Sequence, residues 1–504
     1  MRRVLLFVLC CIVFGCHADY WSDRAAFIRN EELLAFGSKI VLSPKEKRVN
    51  AVLMTAKWKE LADGFKNPGM FPPAKHFFEA KPHIDESAVF AFIQQMPKAG
   101  ALHIHDVAIC TEEYVLHNIT YRDNLYGCIE GDNIKLKFAA TQPDDECWKL
   151  LKRLRQEAKS EMDFNKWLMS KITMITDNPA EKYPDVNTAW VKFISIFVTL
   201  SPMITYRPVF LDYFYNTMQE FYNDNVNYME IRGTMPMLYE LNGRAYGPVE
   251  VMGMLKQVAE QFLAEHPDFL GVKYIYAPRR KVDNGTMDDY IKNYKAMKQA
   301  YPDFLVGFDL VGQEDPGQPL ISFINQLSQI ASDAKFFFHA GETDWNGMST
   351  DMNLVDAVLL NTTRIGHGYA LVKHPVVMKE VKKRGIGIEL NPISNQVLAL
   401  VKDLRNHPGS VLFAQDYPIV VSADDPGLWG ATGLSYDFYE AFMGLASRNA
   451  DLRMLKQLCL NSLQYSALSH DEKRKAILRW ESKWNRFLDV IISSTSSDVT
   501  VQHV

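Results

Sequence analysis

The chain has 504 residues, 47% hydrophobic and 23% charged, with 55 basic against 60 acidic side chains and a formal net charge of −5. That length suits one large barrel with additions or about three average domains. The near-balanced charge, with no basic cluster of the kind a phosphate backbone needs, excludes nucleic acid as an expected partner.

The first residues read as a secretory signal peptide over 1–18. Arg2 and Arg3 precede the apolar run Val4–Phe14, and Cys16-His17-Ala18 places small residues where a signal peptidase reads, so cleavage is expected after Ala18. A membrane anchor needs about 20 apolar residues; this run stops short and no later one is long enough, so an extracellular protein with no membrane span is expected. Three of the seven cysteines leave with that segment. Cys128 and Cys147 flank a polar, turn-rich stretch and suit a disulfide that closes an exposed loop, whereas Cys110 and Cys459 read as buried thiols. Glycosylation triplets stand at Asn118, Asn284 and Asn361.

From 19 to 96 the pattern is helical. Ser43-Pro44-Lys45-Glu46 combines a capping box with proline at the first helical position, and Val49, Val52, Leu53 and Ala56 follow at helical spacing. This layer either packs on the main domain or serves self-association. From Gly100 onward short apolar runs recur at Ala101–His105, Val226–Arg232, Val272–Ala277, Leu305–Leu310, Lys335–His339, Thr363–Gly366, Ile386–Leu390 and Ile419–Ser422. Eight such runs, most separated by helix-length stretches, predict a (β/α)8 TIM barrel of the α/β class over 97–492. The first crossover is too long for a helix alone, so 112–172 reads as an inserted, disulfide-tied subdomain above the active-site face. Ser469-His470-Asp471-Glu472 opens a final helix, and 493–504 is expected to be a disordered tail.

Reactive residues stand at the carboxyl ends of nearly every run, among them Glu230/Arg232, Asp309 and Glu389/Asn391. In a barrel these ends converge on the active-site face. His103 and His105, at i and i+2 on a strand, point to one side. With His339 and Asp424 they make a nitrogen/oxygen donor set that suits Zn²⁺ with a position left for water. Each residue alone has an ordinary alternative, a hydrogen-bonded core histidine or a loop-capping aspartate. A metal lowers the pKa of bound water towards neutrality, so the enzyme then needs a proton donor. Glu342, three residues past His339, fits that role; His367, between glycines, can orient or deprotonate the water; Asp425 can hydrogen-bond a substrate heteroatom.

The runs Lys98-Ala-Gly-Ala-Leu-His-Ile-His105, His339-Ala-Gly-Glu342, Arg364-Ile-Gly-His-Gly368 and Ser422-Ala-Asp-Asp425 resemble the set shared by adenosine deaminases. The signal peptide, helical N-terminal region and long insert resemble the secreted branch, the adenosine deaminase-related growth factors. The resemblance implies a zinc hydrolase, one Zn²⁺ per subunit, that converts adenosine and 2′-deoxyadenosine to their inosine forms plus ammonia, with possible growth-factor activity. It implies that His103, His105, His339 and Asp424 hold the metal, and that Glu342 protonates purine N1 while a zinc-held hydroxide, steered by His367, attacks C6. It also implies that Asp425 contacts N7, the Gly312 N–H contacts N3, Asp106 binds ribose hydroxyls and Trp190 lies near the nucleoside. It further implies a homodimer formed through 19–96, and an insert that binds a cell-surface receptor or glycosaminoglycan. No histidine occurs in Tyr239–Arg244, where some secreted relatives carry one near the ribose, so ribose contacts are expected to differ.

Two other readings remain. A barrel hydrolase of another amide or ester would often carry a metal-bridging lysine on the fourth strand, and Leu305–Leu310 has none. A non-catalytic extracellular signalling protein on the same scaffold would show a degraded site, and no ligand or proton donor is replaced here.

Overall fold

Eight parallel strands form the frame that positions everything else. They are β1 (Ala99–His105), β2 (Val226–Gly233), β3 (Gly271–Tyr276), β4 (Leu305–Phe308), β5 (Lys335–Phe336 continuing through His339–Ala340), β6 (Arg364–His367), β7 (Gly387–Leu390) and β8 (Ile419–Val421). The computed structural model describes residues 19–501, so the expected signal peptide and residues 502–504 lie outside the described residues. β1 to β4 and the first half of β5 pair in order, as do the second half of β5 and β6 to β8. The two halves join at β5, where the Phe337 N–H donates to Phe308 O and the Gly366 N–H to Phe338 O. The ring closes between β8 and β1, where the His105 N–H donates to Asp424 O and the Asp424 N–H to His103 O. Closure pairs the edges of both sheets and brings the carboxyl ends of all eight strands to one face.

The expected rhythm of runs therefore matches the barrel strand for strand. Their burial on both faces explains why they read as continuous apolar stretches rather than alternating ones.

The N-terminal helical region docks on this frame. Ser43 caps the helix Pro44–Lys66: the Glu46 N–H donates to Ser43 Oγ, and the Ser43 N–H donates to Glu46 Oε2. The same Glu46 carboxylate accepts from Lys456 Nζ at 2.7 Å and from the Trp484 indole at 2.9 Å. A local capping residue thus also pins this helix to Leu452–Gln464 and His470–Val501. Lys57 is fully buried, donates to Ser447 O and Ala450 O, and lies over the Phe442 ring. The preceding helix, 19–34, leaves Trp21, Phe27 and Leu33 exposed.

The insert is a three-stranded antiparallel sheet, with Leu125–Glu130 between Asn133–Phe138 and Trp148–Leu150, followed by helices Leu151–Glu157 and Glu161–Ile172. A Cys128–Cys147 disulfide ties it, and Cys110 and Cys459 are buried free thiols.

Two expectations change. The helix Val186–Ile204 is long and apolar enough to cross a membrane by length and composition, although no later run was expected to be. Its apolarity has a local use, because Trp190, Phe193, Ile194 and Phe197 wall the central cavity. The tail expected to be disordered from 493 continues as helix to Val501, with the Ser493 and Ser494 hydroxyls donating back to Asp489 O and Ile491 O.

Candidate metal centre and catalytic cavity

A cavity of about 430 Å³ opens at the carboxyl ends of the strands. That is the usual size for a small-molecule site. Its lining includes His105, His339, Glu342, His367, Asp424 and Asp425, together with Asp106, Trp190 and Gly312. His103 lies behind His105 and is fully buried.

His103, His105, His339 and Asp424 bring one donor atom each to within 4.8 Å of one another. Their protonation follows from their partners. His103 Nδ1 lies 2.8 Å from Glu389 Oε2, and His339 Nδ1 lies 2.6 Å from Asp309 Oδ2. Burial pushes both carboxyls up, but arginine and histidine neighbours outweigh it and hold them well below the usual range. An ionised carboxylate only accepts, so each ring carries its proton on Nδ1 and a lone pair on Nε2. Burial, reinforced by His103, lowers the His339 pKa to about 3, so this ring is neutral. The Nε2 atoms of His103 and His339 are nevertheless 3.0 Å apart. No hydrogen bond can join two bare nitrogens, and Asp424 Oδ1, 3.2 Å from His103 Nε2 and 3.0 Å from His105 Nε2, adds negative charge at the same point. Lone pairs and a carboxylate converging there fit a cation, and the nitrogen/oxygen set fits Zn²⁺ among the divalent ions.

Several backbone features make this convergence possible. A Cβ on Gly366 would sit 3.0 Å from His103 Cε1 and 3.2 Å from His339 Cα, so any side chain here would crowd the His103 ring and the His339 backbone. His367 (φ +59°) and Asp424 (φ +61°) adopt left-handed backbone conformations that are costly for residues with a Cβ and recur at functional sites. Ser394 Oγ donates to Asp424 Oδ2 at 2.7 Å.

The remaining expected residues surround that point. Glu342 is buried, with His367 Nε2 3.7 Å from its Oε1. Its backbone N–H and that of Gly341 donate to Glu314, which also accepts from Asn353 Nδ2. Burial, then the Asp424 and Glu314 carboxylates, pushes the Glu342 carboxyl well up, towards the protonated form. Burial and the adjacent Asp424 do the same to Asp425, whose Oδ1 is buried without a hydrogen-bond partner among the described residues. Asp106 accepts from the Tyr274 hydroxyl at 2.7 Å. Burial, only partly offset by that bond, raises its pKa to about 6. A Cβ on Gly233 would overlap both partners, at 1.8 Å from the Tyr274 hydroxyl and 1.9 Å from Asp106 Oδ2. Trp190 stands edge-on to Phe193, and Gly312 holds φ +105° at the rim. The three glycosylation candidates, Asn118, Asn284 and Asn361, are exposed and away from the cavity lining.

Sequence reasoning noted Asp309 and Glu389 at strand ends but assigned them no task; they orient the two histidines. Tyr274, Glu314, Ser394, Asn395 and His407 were missed. All but Glu314 bear on the site only through another side chain, and no spacing rule marks that kind of residue.

Comparison with known proteins supplies the family context. A family model described as "Adenosine deaminase" matches residues 173–480, and one described as "Adenosine/AMP deaminase N-terminal" matches residues 9–93. The chain is 46% identical to the adenosine deaminase of Phlebotomus duboscqi over 478 residues, covering 94% of this chain and 92% of that one. It is 42% identical to adenosine deaminase 2 of Homo sapiens over 498 residues, covering 97% of each chain. Among solved structures it resembles an Arabidopsis N6-mAMP deaminase with a TM-score of 0.57 at 16% identity, over 78% of this chain and 99% of the other. That likeness speaks to the fold alone.

Proposed function

The chain belongs to the adenosine deaminase family, and on that premise we propose that it is a secreted, zinc-dependent enzyme that hydrolyses adenosine and 2′-deoxyadenosine to inosine and 2′-deoxyinosine plus ammonia. The observation that carries this reading is the convergence of the His103, His105, His339 and Asp424 donor atoms beside a buried glutamic acid on the floor of a nucleoside-sized cavity.

When bound, zinc would supply an electrophile that makes a coordinated water acidic near neutrality. The chain's own groups do the rest. Glu342, kept protonated by burial and by two neighbouring carboxylates, gives its proton to purine N1, which turns C6 electrophilic. Asp425 meets N7 and the Gly312 N–H meets N3, which fixes the ring in register. Asp106, held by Tyr274, accepts from a ribose hydroxyl. Trp190 and Phe193 close the apolar side and exclude water.

Release from the cell, use of the Asn118, Asn284 and Asn361 triplets, and a homodimer through 19–96 belong to the same proposal. The exposed Trp21, Phe27 and Leu33 of helix 19–34 support the dimer. The insert 112–172 is proposed to meet a cell-surface receptor or glycosaminoglycan, and growth-factor activity would follow from lowering extracellular adenosine.

The test is loss of adenosine absorbance on adding purified protein, with and without a chelator, beside the Glu342→Gln variant. We expect chelator-sensitive turnover that Gln abolishes while zinc content stays the same. Turnover retained by Gln would remove Glu342 from its role, and no turnover by zinc-replete wild type would favour the non-catalytic scaffold.

A further inference from the structure

His367 faces the cavity through Nε2, and what that nitrogen can do depends on whether it carries a proton. A chain of three hydrogen bonds behind the ring decides this. Its far end is the Gly409 backbone N–H, which can only donate, and it points at His407 Nδ1 at 2.9 Å. His407 Nδ1 is therefore bare. Burial lowers the His407 pKa to about 3, so the ring is neutral and its one proton sits on Nε2. That nitrogen lies 2.9 Å from Asn395 Oδ1, which fixes the amide and turns its Nδ2 towards His367 Nδ1 at 3.0 Å. A donor at Nδ1 leaves the neutral His367 ring its proton on Nε2. Asn391 Nδ2, 3.5 Å from the same Nδ1, acts in the same sense. His367 Nε2 has no hydrogen-bond partner among the described residues and stands 3.7 Å from both Glu342 Oε1 and Asp424 Oδ2.

We infer that His407 and Asn395 are positioning residues that lock His367 as the Nε2–H tautomer, so that His367 orients the attacking water as a hydrogen-bond donor and does not act as its base. Neither residue lines the cavity, and both are fully buried. His407 is held further by the Tyr369 ring, edge-on at 5.2 Å. The inference that the oriented molecule is the attacking water rests on the deaminase reading; the tautomer itself does not.

Two measurements test it on the zinc-loaded full chain. Histidine ¹⁵N spectra, with the His367 signals identified by their loss in His367→Gln, should show Nε2 protonated and Nδ1 bare; the reverse overturns the inference even if the protein deaminates adenosine. Asn395→Asp, nearly isosteric, puts an acceptor against both rings and should move the His367 proton to Nδ1. The kcat for adenosine should then drop by about a hundredfold, the cost of one donor aimed at a reacting oxygen, with KM changed less than about threefold on the same scale. An unchanged kcat in a variant whose spectrum shows the moved proton overturns the role. If Asn395→Asp fails to fold, His407→Gln, which keeps a donor towards Asn395, and His407→Leu, which does not, replace it; equal kcat values for the pair overturn the inference. Absent turnover in wild type with the expected spectrum would refute the deaminase reading and leave the tautomer standing.

Discussion

Asp309→Asn is the sharpest probe of how the metal centre is held. The native carboxylate accepts four hydrogen bonds. Oδ1 takes the backbone N–H groups of Leu310 at 2.7 Å and His339 at 2.8 Å. Oδ2 takes Arg232 Nη1 at 2.8 Å and faces His339 Nδ1 at 2.6 Å. An asparagine has one accepting oxygen, so its NH₂ must face one of these pairs. Turned towards Oδ1's partners, it leaves two backbone donors unsatisfied, each costing about 1–3 kcal/mol in a buried site. Turned towards His339, it donates to Nδ1 and moves the ring proton to Nε2, the nitrogen that should hold the metal. The second orientation leaves the backbone intact, sets its NH₂ against Arg232 Nη1, which keeps Phe337 O as an acceptor at 3.1 Å, and should weaken zinc binding 10- to 100-fold, or roughly 1.4–2.7 kcal/mol. The assay is competitive titration of the apoprotein against a chromophoric chelator, paired with urea unfolding of the same samples. Lost affinity identifies the tautomer flip; lost stability with affinity kept identifies the orphaned backbone donors. A variant that matches wild type in both would refute the orienting role of Asp309.

Tyr274→Phe removes the hydroxyl that holds Asp106, and the KM for adenosine should rise about fivefold, the worth of about 1 kcal/mol, with kcat steady; a fall in kcat alone would contradict a ribose role for Asp106. Cys128→Ser with Cys147→Ser should loosen the insert by roughly 3 kcal/mol, read as faster proteolysis between 112 and 172, while adenosine turnover persists; unaltered proteolysis would mean the disulfide adds no constraint. Burial pushes the Glu46 carboxyl up, but Lys456, Ser43 and Trp484 outweigh it and leave it below its ordinary 4.5. A carboxyl lowered on folding adds stability that is complete above the unfolded value and lost as pH falls through the folded one. The urea midpoint should therefore fall below about pH 4.5, and Glu46→Ala should cost about 3 kcal/mol at neutral pH and flatten that dependence; an equally steep acid loss in the variant would assign it to other groups.

What the linear sequence determined about this protein is whatever short-range chemistry encodes. The eight apolar runs were legible because strands buried on both faces are mostly apolar. The Ser43 capping box was legible because its two bonds span three residues, and the His-x-His of β1 because alternate strand residues share a face. Once the runs are taken as barrel strands, their carboxyl ends must meet, which is why His339, Glu342, His367 and Asp424 could be drawn to one point before any coordinates. Tertiary structure alone decided the charges and protons. The tautomers of His103 and His339 follow from Glu389 and Asp309, hundreds and tens of residues away along the chain. That of His367 follows from Asn395 and His407 and ends on the backbone of Gly409. The same holds for the second use of Glu46 as a pin between helices, and for the apolar helix Val186–Ile204, which the fold uses as a cavity wall. Hydrogen-bond direction depends on which donor meets which acceptor in space, and residue spacing carries no record of that meeting.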